Sequence, residues 1–172
     1  AGLQLITHED GQQIAVEGPS PHLRGHLDGA IKGLLQNPAT WHVWEHKCVG
    51  ADRYRALERA IVKFGEAEAL ESWDATYFGQ AQLYMRYVNL HTHYLTVSSA
   101  GSRTTISVVT PYDEAKAKAL EDRAVSIIFS PEPPNRLSED STYYQCKWCP
   151  FDAICHGTDV PQMTCRSCAH CT

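Results

Sequence analysis

Four features are missing from this 172-residue chain: a signal peptide, an apolar run long enough to cross a membrane, an internal repeat and a low-complexity tract. The absence of a long apolar run excludes a membrane span, and the absence of repeats excludes a solenoid. Cysteine is also nearly missing before residue 146, where only Cys48 occurs, so disulfides cannot staple the main body. We expect one globular domain of ordinary core size in a cytoplasmic protein.

Positive charge is in slight deficit, with 15 Lys and Arg against 20 Asp and Glu, a net charge of −5. This balance does not exclude nucleic-acid binding, because contacts to phosphate depend on local patches rather than on total charge. Arg53, Arg55, Arg59 and Lys63 form a local basic group, in which the last three recur every four residues on a predicted helix from Asp52 to Phe64. They indicate a candidate DNA-binding stripe, and an ordinary solvated helix face is an equally good interpretation.

Two carboxylates and an amine form the most informative pattern: Asp28 in Gly-His-Leu-Asp-Gly, and Glu45 and Lys47 in Trp-Glu-His-Lys. Strand side chains alternate between faces, so Glu45 and Lys47 project from one face of a predicted strand from Trp41 to Val49. Asp28 would join them from a neighbouring strand. Such oxygens suit Mg²⁺ or Mn²⁺, and an ammonium group can neutralise the charge that develops on an attacked phosphodiester.

A polar pair on a predicted helix could reach the same place. Gln80 and Tyr84 lie four residues apart and so share one helical face. The plainer interpretation of this segment is an amphipathic core helix, with Leu83, Tyr87, Val88 and Leu90 inward and with Gln82 and Arg86 facing water.

These motifs, in this order, resemble those of the RecB-like branch of the PD-(D/E)XK nuclease superfamily. The resemblance rests on Gly-His-Leu-Asp28-Gly, Glu45-His-Lys47 and Gln80-x-x-x-Tyr84. It implies a restriction-endonuclease-like α/β core in which Asp28 and Glu45 bind the metal and Lys47 is the catalytic lysine. Gln80 and Tyr84 would orient the lysine or the DNA.

The same family usually carries a metal-binding His on an early helix, well before the Asp. No such helix is evident here, and His8 lies in a loop-like Thr-His-Glu-Asp-Gly stretch, so we do not assign it that role. His22 and His26 lie nearer, on a predicted hairpin where a surface or packing role is expected. The chain begins at Ala1, and a segment before it could hold the first core helix and its ligand.

Six of the seven cysteines lie in the tail, as Cys146-x2-Cys149-x5-Cys155 followed by Cys165-x2-Cys168-x2-Cys171. In a reducing cytosol such density indicates a metal rather than disulfides. Cys48, beside the catalytic strand, is expected to be a small buried hydrophobic residue.

The metal of the tail has two interpretations. Pairs at Cys146/Cys149 and Cys165/Cys168, fifteen residues apart, are typical of a zinc ribbon. The triad of Cys146, Cys149 and Cys155 instead resembles that of iron-sulfur nucleases such as AddB-type and CRISPR-associated exonucleases, which implies a 4Fe-4S cluster with Cys165 or Cys168 as fourth ligand. His156 and His170 are alternative ligands or hydrogen-bond partners of ligands. Either metal would have a structural role.

Local patterns predict an α/β core of mixed sheet flanked by helices. We expect a hairpin from Leu3 to Val16 that turns at Asp10-Gly11, and then a strand from His22 to Lys32. A polar bridge is expected from Glu66 to Glu71. The remaining predicted elements are the Gln80 helix to Leu90, a hairpin of His93 to Ser98 and Thr104 to Thr110, and a helix from Asp113 to Ile128. The nuclease core would span residues 1–140, and a cysteine-rich metal-binding segment residues 141–172.

Taken together, the sequence predicts a metal-dependent DNA exonuclease of recombination, repair or spacer processing, of the kind encoded by phages or their bacterial hosts. Its partner would be DNA, with an annealing protein or a helicase as a possible second partner. The competing interpretation is a zinc-ribbon module that binds nucleic acid without cleaving it. Digestion polarity, strand preference, exo- or endonuclease action and oligomeric state are left open by the sequence.

Overall fold

The computed structural model describes residues 2–160, in which nine strands and five helices are assigned. In chain order these are β1 (Gln4–Ile6), β2 (His8–Glu9), β3 (Gln12–Gln13), β4 (Ala15–Glu17), β5 (Arg24–His26), β6 (Gly29–Leu34), β7 (Asn37–Val49), α1 (Ala51–Phe64), α2 (Glu66–Trp73), α3 (Ala75–Val88), β8 (Thr92–Ser99), β9 (Thr105–Pro111), α4 (Glu114–Phe129) and α5 (Asp152–Cys155). No helix among them is long and apolar enough to cross a membrane.

A five-stranded mixed sheet in the order β1-β6-β7-β8-β9 forms the centre. Strands β7 and β8 are parallel, and the other neighbouring pairs in this sheet are antiparallel. A parallel pair requires a long crossover, which α1, α2 and α3 provide. The expected α/β core with a mixed sheet flanked by helices is confirmed at this level.

The face of β7 and β8 that meets the crossover helices holds two separate apolar clusters. Val43, Leu27 and Met85 belong to one cluster. Val49, together with Leu95 and others, belongs to the second. Glu45 and Lys47 lie on β7 between Val43 and Val49, so two charged side chains interrupt the apolar lining of the sheet.

Several local expectations are corrected. The strand expected from His22 to Lys32 is broken, because β5 pairs with β4 in a small separate sheet while β6 pairs with β1 and β7. The segment expected as a polar bridge is helix α2, which buries Ala69 and Leu70. The hairpin expected from Leu3 to Val16 is wrong in its extent, because β1 pairs with β6 and β4 pairs with β5. Its turn is confirmed: β2 and β3 pair around Asp10-Gly11, with φ of 51° and 79° at these two residues.

The inward face expected for α3 is confirmed in part, because Tyr87, Val88 and Leu90 are half-buried against the cluster of Val43 and Met85. The buried residues of α3 are Phe78, Ala81, Gln82 and Met85. Gln82 was expected to face water, but it is fully buried: its Nε2 donates to the carbonyl of Pro111 at 2.9 Å and its Oε1 accepts from the Asp113 N–H at 2.8 Å. The side-chain amide satisfies backbone groups between β9 and α4, where no helix or sheet ladder could do so.

The chain divides into two compact units between Phe129 and Ser130. The second unit, as far as residue 160, consists of turns and the short helix α5.

Candidate active site

Asp28 occupies the point where the chain passes from one sheet to the other. Gly29, the first residue of β6, pairs with Trp44, so Asp28 lies opposite Glu45 at the end of the ladder. Strand β7 continues beyond this point without a β6 partner, and the Oδ2 of Asp28 accepts from the backbone N–H of His46 at 2.8 Å. The carboxylate therefore replaces a missing strand contact and is fixed beside Glu45.

Glu45 and Lys47 form an ion pair on the same face of β7, with the Nζ of Lys47 donating to the Oε1 of Glu45. The Glu45 side chain is 7% exposed and that of Lys47 is 24% exposed. The predicted sharing of a face by these two residues is confirmed, and Asp28 joins them. The pair opens to solvent through the lysine, while the carboxylate is almost enclosed.

The electrostatics of the pair follow from this enclosure. Burial raises the pKa of Glu45, the bond to Lys47 opposes that shift, and the nearby charge of Asp28 adds to it. For Lys47, burial is the largest influence and lowers its pKa, but the hydrogen bond to Glu45 and the charges of Glu45 and Asp28 outweigh it, so its pKa is raised. The amine is therefore an ammonium group at neutral pH.

The donor set suits a hard divalent cation. Two carboxylates with one oxygen each engaged, in the bonds to Lys47 and to His46, retain a second oxygen apiece for a metal. A magnesium ion typically uses one or two carboxylates and fills its other positions with water and substrate phosphate. Within residues 2–160 no group of three or more His, Cys, Asp or Glu is arranged to hold a metal. A cation at this place would therefore have two protein ligands, the carboxylates of Asp28 and Glu45.

Helix α3 contributes Gln80 and Tyr84, which are joined to each other: the Nε2 of Gln80 donates to the hydroxyl of Tyr84 at 3.0 Å. The Tyr84 hydroxyl lies directly over Gly25 of β5, where an added Cβ would come within 2.4 Å of it. Gly25 in the Gly-His-Leu-Asp motif is thus required for close approach of the tyrosine. Among the described contacts this pair fixes the segment that leads to Asp28, and no hydrogen bond links it to Lys47.

One residue that the sequence interpretation left out of the site, Tyr77, lies against the lysine, and Arg53 lies against the ring of Tyr77. The ring of Tyr77, in the first turn of α3, has its centroid 5.1 Å from the Nζ of Lys47. The guanidinium of Arg53 lies 5.7 Å from the same ring and 5.0 Å from that of Trp73. Tyr77 lies three residues before Gln80 and seven before Tyr84, so all three share one helical face. Extending the Gln80 and Tyr84 spacing by one helical turn towards the N-terminus would have identified Tyr77.

The basic stripe lies elsewhere on α1. Arg55, Arg59 and Lys63 are exposed, whereas Tyr54, Leu57 and Ala60 face the core. Arg55 pairs with Asp52, and Lys63 lies over the ring of Phe64 at 4.8 Å. None of the ion pairs or ring contacts in the described part of the chain joins this stripe to Glu45 or Lys47. The α1 cation that is linked to the site is Arg53.

The opposite face of β7 carries a hydrogen-bonded cluster around Thr96. Its Oγ1 donates to the carbonyl of Glu45 at 3.2 Å, accepts from the Nε1 of Trp44 at 3.1 Å and lies 3.0 Å from the Nδ1 of His46. The Nε2 of His46 lies 3.2 Å from the Oγ of Ser98. Cys48, on this same face, is exposed, so the expectation that it is buried is wrong.

In the second unit, the three described tail cysteines line one cavity of about 390 Å³ together with Asp152 and His156. Cys146 is buried, Cys155 half-buried and Cys149 exposed, and burial with the neighbouring Cys155 raises the pKa of the Cys146 thiol. The Nε2 of His156 is buried without a hydrogen-bond partner among residues 2–160. These thiols do not by themselves form a metal-holding group there, and Cys165, Cys168 and Cys171 lie outside the described residues.

Comparison with known proteins gives little. No protein-family model matches the sequence, and no curated protein matches it either. Among solved structures, the crystal structure of SSO0001 is similar, with a TM-score of 0.41 and 17% identity. The match covers 77% of this chain and 50% of that one, so this chain spans half the length of SSO0001.

Proposed function

We propose that this protein is a metal-dependent deoxyribonuclease, an exonuclease of the RecB-like PD-(D/E)XK type that acts in DNA recombination, repair or processing. The observation that carries the proposal is the convergence of Asp28, Glu45 and Lys47 at the point where the chain passes from one sheet to the other. Lys47 is paired to Glu45, and Asp28 is held by the His46 N–H. Two carboxylates and one ammonium, with Glu45 nearly buried and Lys47 partly exposed, are the groups that hydrolysis of a phosphodiester uses.

In this proposal Asp28 and Glu45 hold Mg²⁺ or Mn²⁺, which when bound supplies Lewis-acid charge at the scissile phosphate. The chain's own contribution is positional and electrostatic. Glu45 keeps Lys47 charged and held beside the two carboxylates, and Lys47 places one positive charge where negative charge develops on the phosphate. Gln80 and Tyr84 hold the Gly25 segment, and hence the approach to Asp28, in place.

Binding to DNA away from the reaction is assigned to exposed cations. Arg55, Arg59 and Lys63 present a basic stripe on α1, which would contact the phosphate backbone without reading sequence. The full set of tail cysteines would hold a 4Fe-4S cluster or, alternatively, zinc, and so stabilise a segment that has little apolar core of its own. Anaerobic purification followed by absorption near 400 nm and by zinc and iron analysis would distinguish the two.

The decisive experiment compares Asp28→Asn and Lys47→Ala with a control, Glu9→Gln. The control changes an exposed carboxylate that is distant in sequence from both site residues. Labelled single-stranded and duplex DNA is incubated with each variant, with and without Mn²⁺. We expect the two site variants to lose cleavage while the control keeps it and all three retain the wild-type circular dichroism spectrum. Wild-type rates in Asp28→Asn or Lys47→Ala would reject the proposal, and DNA binding with no metal-dependent cleavage by the wild type would favour a binding module instead.

A further inference from the structure

We infer that Tyr77 is the positioning residue for Lys47: its aromatic ring, held by Arg53 and Trp73, fixes the ammonium group beside Glu45. The inference rests on the proposed function, because it concerns the amine that the proposal makes catalytic. It stands on geometry, namely the 5.1 Å between the Nζ of Lys47 and the centroid of the Tyr77 ring.

Lys47 needs a second support because its ion pair constrains only one side. A lysine side chain has four rotatable bonds, and this one is 24% exposed, so a single bond to Glu45 leaves it room to move. A cation within about 6 Å of an aromatic ring is attracted by the negative face of the ring. Tyr77 therefore restrains the ammonium group from a direction that Glu45 does not.

The position of Tyr77 is itself fixed from two directions. Asp74 caps α3 by accepting from the backbone N–H groups of Thr76 and Tyr77, at 2.9 and 3.0 Å, which fixes the first turn of the helix. The Trp73 ring lies 5.7 Å from the Tyr77 ring. A ring so anchored can act as a fixed surface rather than as one more mobile side chain.

Arg53 completes the arrangement from α1. Its guanidinium lies over both rings, it pairs with Asp74, and its backbone carbonyl accepts from the Nε1 of Trp73 at 3.0 Å. Helix α1 is thereby tied to the start of α3 beside the lysine. Trp73 and Tyr77 also pack, half-buried, against the apolar cluster of Val49, so the Trp-Asp-x-x-Tyr sequence at the α2–α3 junction serves both the core and the lysine.

The test compares Tyr77→Phe, which keeps the ring, with Tyr77→Leu and Tyr77→Met, which remove it. Phe64→Leu is the matched control, because it removes another ring that lies 4.8 Å from a lysine, Lys63. We expect the ring-free variants to lower kcat about tenfold with KM little changed, since a misplaced charge weakens the transition state more than substrate binding. Tyr77→Phe and Phe64→Leu should keep the wild-type kcat.

A second readout does not depend on cleavage. In protein carrying ¹³C-labelled lysine, the ring current of Tyr77 should displace the Cε proton resonances of Lys47, assigned with Lys47→Arg, relative to those of Lys118. We expect the displacement to persist in Tyr77→Phe and to vanish in Tyr77→Leu or Tyr77→Met. An unchanged Lys47 resonance in a folded ring-free variant, or an equal loss of kcat in Tyr77→Phe, overturns the inference. If the wild type cleaves no DNA, the proposed function fails, and the resonances still decide whether Tyr77 holds Lys47.

Discussion

The two faces of strand β7 differ in burial and in charge. On the face toward the helices, Glu45 and Lys47 lie between two apolar clusters, and burial raises the pKa of the carboxylate. On the other face His46 and Cys48 are exposed, and His46 bonds to hydroxyl groups of β8. Residues one position apart along one strand thus meet different environments, and the inner face is the one that brings charged side chains together away from water.

The largest expected effect contrasts these faces directly. Glu45→Gln removes the buried carboxylate and should lower the cleavage rate about a thousandfold, because both the proposed metal ligand and the partner of Lys47 are lost. His46→Gln changes the neighbouring side chain on the outer face but keeps the backbone N–H that donates to Asp28. Its rate should stay within about twofold of wild type. Rates are measured with saturating Mn²⁺, and similar losses in both variants would contradict the contrast.

A second prediction concerns the stability of the folded protein in acid. His93 of β8 is buried on the inner face, and burial, aided by the charge of Lys47, lowers its pKa to about 3. The folded protein therefore keeps this imidazole neutral while the unfolded chain takes up a proton near its ordinary value of 6.5. Stability from His93 is complete above that ordinary value and is lost as pH falls toward about 3.

His93→Leu should therefore flatten the decline of the unfolding free energy with falling pH, measured in urea from neutral pH into the acid range. The exposed His22→Gln is the control and should follow the wild-type curve. An equally steep decline in His93→Leu would show that other groups set the acid sensitivity.

The inner face also depends on close approach of α3. Gly25→Ala would place a Cβ within 2.4 Å of the Tyr84 hydroxyl and so force the tyrosine away from β5. We expect a loss of about 1–3 kcal/mol in the free energy of unfolding, as for other overpacked sites. Gly79→Ala, in the interior of the same helix with Leu120 atoms no closer than 3.6 Å, should instead stabilise by about 0.5–1 kcal/mol. Urea unfolding of both variants tests the pair, and a neutral Gly25→Ala would show that Tyr84 moves without loss.

Sequence periodicity was sufficient for part of the site and not for the rest. Alternation along β7 predicted that Glu45 and Lys47 share a face, because that depends only on local strand geometry. The hydrogen bond from the His46 N–H to Asp28 depends on the chain leaving one sheet after β5 and entering another at β6. No local sequence pattern encodes that change. The same holds for Gln82, a polar residue buried only because Pro111 and Asp113 supply backbone partners from distant positions. Apolar spacing correctly placed Tyr87 and Val88 against the core, but it could not predict that Gln82 is buried as well.

The smallest expected effect belongs to Cys48, which faces away from the site although it is next to Lys47 in sequence. It opposes Ser98 across the parallel β7–β8 pair and is exposed. Cys48→Ser should leave the cleavage rate and the unfolding midpoint unchanged, because it removes no buried contact. The same substitution should remove one maleimide-reactive thiol from the native protein, because Cys48 is exposed, as is Cys149 of the second unit. A large loss of cleavage in Cys48→Ser would mean that the outer face of β7 takes part in the reaction, and the contrast between the two faces would then fail.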